Sequence, residues 1–226
     1  MSRVAVFFLM IVAPALAICL ALLGLETLQD NLLGWFLLVT GIAYAAGIVI
    51  SYYVREERFW ESRLKGLVMA EEQADYSFWF ITLGMMAAFY LSPLEYLYIA
   101  PLLPRAAWME ASGLGLVILG SVLFVWARRI LGESYSGHIS IKQGQELTQS
   151  GPYRFIRHPA YLGYLLMALG LALGYSSLAG LAAIPLILIP TAIFRIRVED
   201  KILAEHFGAQ FEEYARKTKR LIPGIW

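Results

Sequence analysis

The sequence predicts an all-α integral membrane protein of about six transmembrane helices, the last two folded as a C-terminal hairpin and followed by an amphipathic helix. Three observations carry this expectation. Of 226 residues, 59% are hydrophobic and only 15% charged, against roughly 25% charged in ordinary soluble domains. The apolar residues gather into runs long enough to cross about 30 Å of hydrocarbon, which takes about 20 residues of helix. The basic residues fall almost wholly on alternate sides of those runs.

Four runs read as single spans: residues 4–25, 32–54, 78–100 and 111–127. The first follows Arg3 and carries small residues at Ala13, Ala15 and Ala17, as a signal peptide would. Its apolar stretch continues from Ile18 to Leu25, longer than a signal core, so a retained span is expected. The fifth run, 160–194, is too long for one span and breaks at Gly174, Tyr175, Ser176 and Ser177, which predicts a tight helical hairpin. Pro185 and Pro190 predict kinks in its second arm, because proline removes a helical hydrogen bond. Glycines 113, 115, 120, 163 and 170 read as places of close helix packing.

Every lysine and arginine except Arg105 falls on one set of alternate sides. By the positive-inside rule this places both termini in the cytoplasm. Three polar segments then face the cytoplasm: 55–76, expected as a helical loop on the membrane, then 128–159, then 195–226. No repeat or linker divides the chain. Residues 1–226 read as a single membrane domain, with four spans in 1–127 and the chemistry in 128–226.

Composition excludes several functions. Acids and bases nearly cancel, 17 against 18, so nothing points to nucleic acid. One cysteine, Cys19, allows neither an internal disulfide nor a Cys-based zinc site, and no metal-ligand spacing is present. Almost no charge lies within the spans. Glu95 near the end of the third is the chief exception, so no ion path of a transporter is visible.

The chemistry-bearing residues sit in the second and third polar segments. Tyr135 to Ile141 alternates weakly like a strand, and turns are expected at 142–145 and 150–152. Pro159 suits the first turn of a helix, placing His158 beside unpaired backbone N–H groups where an anionic or acceptor-rich ligand is at home. Arg195 and Glu199 are four apart and share a helix face where the sixth span leaves the membrane, a depth at which charges are paired or functional. In the tail, apolar residues at 198, 202, 203, 207, 211 and 214 describe an amphipathic helix interrupted at Gly208. His206 reads as an exposed residue of its polar face.

The string Gly151-Pro-Tyr-Arg-Phe-Ile-Arg-His-Pro-Ala-Tyr-Leu-Gly163, followed by Arg195, Glu199 and the closing Leu221-Ile-Pro223, resembles the isoprenylcysteine carboxyl methyltransferase family and its phospholipid N-methyltransferase relatives. The resemblance covers roughly residues 115–226. It implies a membrane methyltransferase using S-adenosylmethionine, held between the hairpin and the tail, and acting on a lipid-linked or small acceptor such as a prenylcysteine carboxylate. Carried over position by position, it implies cofactor contacts at His138, Gln145, Glu146, Leu147, Thr148, Tyr153, His158, Pro159, Ala160, Tyr161 and Glu199, with Arg195 toward the substrate and Arg195 and Glu199 as the catalytic pair. Family members often carry histidine where this chain has Gln145, and sometimes glutamine where it has His138. Both substitutions keep a hydrogen-bonding group. Two other enzyme readings compete. One is a phospholipid N-methyltransferase. The other is an NADPH-dependent sterol-type reductase, which resembles the chain around His158 and Tyr161 and would place Arg154 and Arg157 on the 2′-phosphate.

Overall fold

The structure, a computed structural model, describes residues 13–54, 76–132, 145–222, 224 and 226. The start of the first run (4–12), the 55–75 segment, the alternating stretch 135–141 with His138 inside it, and most of the 142–145 turn lie outside the described residues.

The described chain is helical. Its elements are α1 (Ala13–Thr27), α2 (Leu33–Val54), α3 (Tyr76–Tyr98) and α4 (Ala107–Leu131), then a 3₁₀ turn (Gly151–Arg154), α5 (Pro159–Gly174), α6 (Leu178–Ala183), a π turn (Ile184–Leu188), α7 (Ile189–Phe207) and α8 (Ala209–Lys217). Among the described residues the only β pairing is an isolated parallel bridge between Ile156 and Lys219.

Among the described residues, three stretches are long and apolar enough to cross a membrane: Phe80–Tyr98, Ala107–Leu131 and Leu178–Phe207. Ala15–Thr27, Leu33–Ala46 and Pro159–Gly174 are shorter apolar helices. The 30-residue stretch Leu178–Phe207 is about 45 Å long at 1.5 Å per residue. That exceeds the hydrocarbon thickness, so its charged end from Arg195 onward stands outside. Ile118, Leu119 and Val122 of α4 are each more than half exposed, as residues facing lipid tails are.

The hairpin turns where the sequence breaks. Tyr175 and Ser176 make the corner, and Ser177 caps α6 by accepting the Gly180 N–H at 2.8 Å. Glu95 is the buried partner of that corner. Its carboxylate accepts from Ser177 Oγ (2.5 Å), Leu178 N (3.1 Å) and Ala179 N (2.8 Å), an anion at a helix N-terminus. Instead of a simple kink at Pro185, the second arm relaxes into the π turn, whose wider backbone ring absorbs the missing proline donor.

Glycine sets the helix spacing. A Cβ on Gly113 would lie 2.5 Å from the Gly170 carbonyl oxygen, and one on Gly120 would lie 2.6 Å from that of Gly163. Helices α4 and α5 therefore touch backbone to backbone. Gly115 does not share this role: a Cβ there meets nothing within 4 Å. The buried core joins α3, α5 and the second hairpin arm through Ile81, Ala88, Ala168, Ala172, Leu188 and Ala192. A second cluster, around Leu33, Leu37, Val117, Leu171 and Tyr175, ties in α2 and α4.

Candidate functional site

The polar end of the helix bundle is built from three pieces of chain. The first is the turn before α5. Gly151 adopts φ +58, a left-handed conformation that a side chain disfavours, and swings the chain so that Tyr153 is buried. The second is the start of α5, where His158 is the N-cap residue and Pro159 the first helical one. The third is the tail. Gly208, at φ +53, ends α7 and lets α8 fold back, burying Phe211 and Tyr214. Tyr214 donates from its hydroxyl to the Tyr153 carbonyl at 2.7 Å. The N–H groups of Arg157 and His158 donate to the carbonyls of Lys219 (2.8 Å) and Arg220 (3.0 Å), stitching the tail to the start of α5.

A line of polar groups crosses this junction. Arg195, 3% exposed, donates from Nε to the Tyr161 hydroxyl at 2.9 Å. The Tyr161 hydroxyl donates to Glu199 Oε2 at 3.1 Å. Glu199 Oε2 stands 3.7 Å from His158 Nδ1. On the other edge of that ring, His158 Nε2 lies 2.8 Å from Asp200 Oδ1. Asp200 also accepts from Arg220 Nε at 2.7 Å and contacts Arg157 Nη2 at 3.4 Å. Arg157 reaches further, donating from Nη1 to the carbonyls of Thr218 (2.6 Å) and Ala215 (3.1 Å) at the end of α8.

Burial alone would raise the pKa of Asp200. The hydrogen bond and the charge of His158, then the Arg220 hydrogen bond and the Arg157 charge, outweigh it and hold the carboxyl down at about 2. Burial pushes the Tyr214 phenol well up.

One cavity of about 700 Å³ runs from this junction into the bundle. Its polar end is lined by Gln145, Glu146, Leu147, Thr148, Tyr153, His158, Ala160, Tyr161, Arg195 and Glu199. Its other end lies among helices α1 to α5, between side chains such as Leu20, Phe36, Met85, Phe89, Phe124 and Met167. The Arg195 and Glu199 side chains, one turn apart, meet Tyr161 on the same face, as their spacing predicts. Of the residues implied by resemblance, Pro159 is not on the cavity wall. It is fully buried, and its place is structural, opening the first turn of α5. His138 lies outside the described residues.

Sequence reasoning missed Asp200, Arg157, Arg220 and Tyr214 as members of this junction. Arg157 looks like a lipid-facing anchor or a phosphate ligand, but its side chain is 8% exposed and committed to Asp200 and the tail. The signal available was an acid directly after Glu199, off the apolar stripe of its helix. His206 is exposed, as expected.

Residues 108–210 match the phospholipid methyltransferase family. The chain is 29% identical over 143 residues to protein-S-isoprenylcysteine O-methyltransferase B of Arabidopsis thaliana, covering 61% of this chain and 73% of that one. It is 34% identical over 137 residues to a probable protein-S-isoprenylcysteine O-methyltransferase of Oryza sativa subsp. indica, covering 58% of this chain and 72% of that one. Its fold is similar to that of a solved eukaryotic intramembrane Ras methyltransferase, isoprenylcysteine carboxyl methyltransferase, with a TM-score of 0.52 and 18% identity over 98% of this chain and 71% of that chain.

Proposed function

This chain belongs to the protein-S-isoprenylcysteine O-methyltransferase family and is a multi-pass membrane methyltransferase, and we propose that it uses S-adenosylmethionine to methylate the carboxylate of a lipid-linked acceptor, a prenylcysteine being the best fit. The observation that carries this reading is a continuous cavity, charged and aromatic at one end and apolar between the helices at the other. Both halves of the chain contribute to its wall, from Leu16 to Tyr214, in keeping with a single membrane domain over 1–226. Since the bases accumulate on the side where the polar end opens, that side is the cytoplasm and both termini lie there.

The donor set suits the cofactor. The Glu199 carboxylate matches its cationic groups, the rings of Tyr153 and Tyr161 match its flat or cationic parts, and first-turn N–H groups of α5 match its carboxylate. Gln145, Glu146, Leu147, Thr148, His158 and Ala160 complete that wall. When bound, S-adenosylmethionine supplies a methyl carbon on a positively charged sulfur.

The protein's own residues do the rest. Tyr161 fixes the guanidinium plane of Arg195 by accepting from Nε. Arg195 then clasps the acceptor carboxylate, a bidentate geometry that lysine reproduces poorly. That carboxylate is ionised at neutral pH and needs no general base. Catalysis reduces to alignment and removal of water, worth roughly 7–11 kcal/mol at best. The tail helix α8 is tied to the polar end by the Tyr214–Tyr153 hydrogen bond, which places it to limit water there. The apolar arm takes the acceptor's hydrocarbon tail.

The competing reductase reading needs cations for a 2′-phosphate, and the binding of Arg157 to Asp200 and the α8 carbonyls argues against it. Titration of the purified protein with S-adenosylmethionine and with NADPH separates the two. Binding of the methyl donor is expected; NADPH binding with no response to the donor would overturn the proposal.

A further inference from the structure

Glu199 and Asp200 are adjacent in sequence yet do different work. Successive residues on a helix point about 100° apart. Glu199 reaches the cavity wall, while Asp200 is not on that wall and is 7% exposed. Between them stands the His158 ring, with Nδ1 on the Glu199 side at 3.7 Å and Nε2 on the Asp200 side at 2.8 Å. An ionised carboxylate only accepts hydrogen bonds, so a 2.8 Å contact requires the proton on Nε2. Asp200 cannot swing away, because Arg220 and Arg157 hold Oδ2 and both are anchored to the tail junction.

We propose that Asp200 is a positioning residue that fixes the His158 ring as its Nε2–H tautomer, leaving Nδ1 beside the Glu199 carboxylate as a second hydrogen-bond acceptor for the cofactor. The inference rests on the reading of this cavity as the S-adenosylmethionine site. Two acceptors 3.7 Å apart with no proton between them repel. A ligand group rich in donors, an ammonium or a ribose diol, relieves that repulsion by bonding to both. The arrangement thus selects for the donor-bearing part of the cofactor, as a second carboxylate orients the histidine ligands of metal sites. It also links cofactor affinity to the tail, since the same carboxylate holds Arg157 and Arg220.

The test is nitrogen-15 NMR of the full chain in lipid nanodiscs at pH 8, with labelled histidine and the His158 signals assigned by their loss in His158→Gln. The expected spectrum has a neutral ring protonated on Nε2, and Asp200→Ala is expected to convert it to a mixture of tautomers. A wild-type ring protonated on Nδ1, or on both nitrogens, overturns the proposal. The wild-type spectrum decides this even if Asp200→Ala fails to fold. Calorimetric binding of S-adenosylmethionine gives the second readout. Asp200→Ala is expected to weaken it about tenfold, the scale of one charge-assisted hydrogen bond. In a His158→Gln background the same change is expected to cost less than about twofold. Equal losses in both backgrounds would mark Asp200 as purely structural and end the proposal. Absence of donor binding by the wild type would overturn the cofactor reading and leave the tautomer result to decide the role of Asp200.

Discussion

Replacing Gly120 by alanine tests the geometry of the site from a position that touches no ligand. The added Cβ would sit 2.6 Å from the Gly163 carbonyl oxygen and 2.9 Å from Met167 N and Cγ. Ordinary contact begins at about 3.4 Å, so α4 and α5 must part by about 0.8 Å. Tyr161 is two residues before Gly163 on α5, and its hydroxyl accepts from Arg195 at 2.9 Å. Tyr161 lies on the face of α5 that packs toward the second hairpin arm, opposite Gly163, so a shift of that size displaces the hydroxyl from its 2.9 Å position against Arg195 by more than a hydrogen bond tolerates. Overpacking of this kind costs about 1–3 kcal/mol of stability, and misplacement near 1 Å in an active site costs on the order of 10²-fold in rate. Gly115→Ala is the matched control, because its Cβ meets nothing and alanine favours the helix. Thermal unfolding in nanodiscs and methyl-transfer turnover, measured on both variants, check this. Wild-type stability and turnover in Gly120→Ala, or equal damage in Gly115→Ala, would refute the reasoning.

Three further outcomes are expected. Glu199→Ala weakens S-adenosylmethionine binding by about 10- to 100-fold, the scale of a lost charged hydrogen bond, as read by calorimetry; unchanged affinity removes Glu199 from the cofactor site. Arg195→Lys spares cofactor binding but lowers turnover by about 10²-fold, and undiminished turnover removes Arg195 from the substrate site. The Asp200 pKa is lowered from 3.8 to about 2 on folding, so its charge stabilises the fold above pH 3.8 and that contribution is lost as pH falls toward 2. The gap in unfolding temperature between wild type and Asp200→Asn should therefore be present above about pH 4 and close as pH falls from there toward 2; a gap that persists unchanged to pH 2 contradicts the assignment.

Much of the fold was legible because membranes simplify the code. The hairpin corner at Gly174 to Ser177, the break at Gly208 and the close packing at Gly113, Gly120, Gly163 and Gly170 follow from local residue chemistry. Helix α4 runs Ala107–Leu131, past both ends of the apolar run at 111–127, because Glu110, Arg128 and Arg129 interrupt hydropathy without interrupting helix. The pairing of Arg195 and Glu199 on one face needed only a spacing of four. Glu95 stood out as a lone charge, but its partners, Ser177 and the start of α6, lie more than 80 residues away. Asp200 was hidden for the same reason: Arg157 and His158 precede it by 43 and 42 residues, and no local period connects them.

The central claim is that one cavity brings a methyl donor at its polar end to a carboxylate whose apolar tail lies between the helices. Its most direct test is transfer of labelled methyl from S-adenosylmethionine to parallel panels of prenylcysteine, phospholipid amine and small thiol acceptors. The account predicts base-labile label, a methyl ester, on the prenylcysteine, lost in Arg195→Lys. Label stable to base on the amine or thiol, with none on the prenylcysteine, would contradict it.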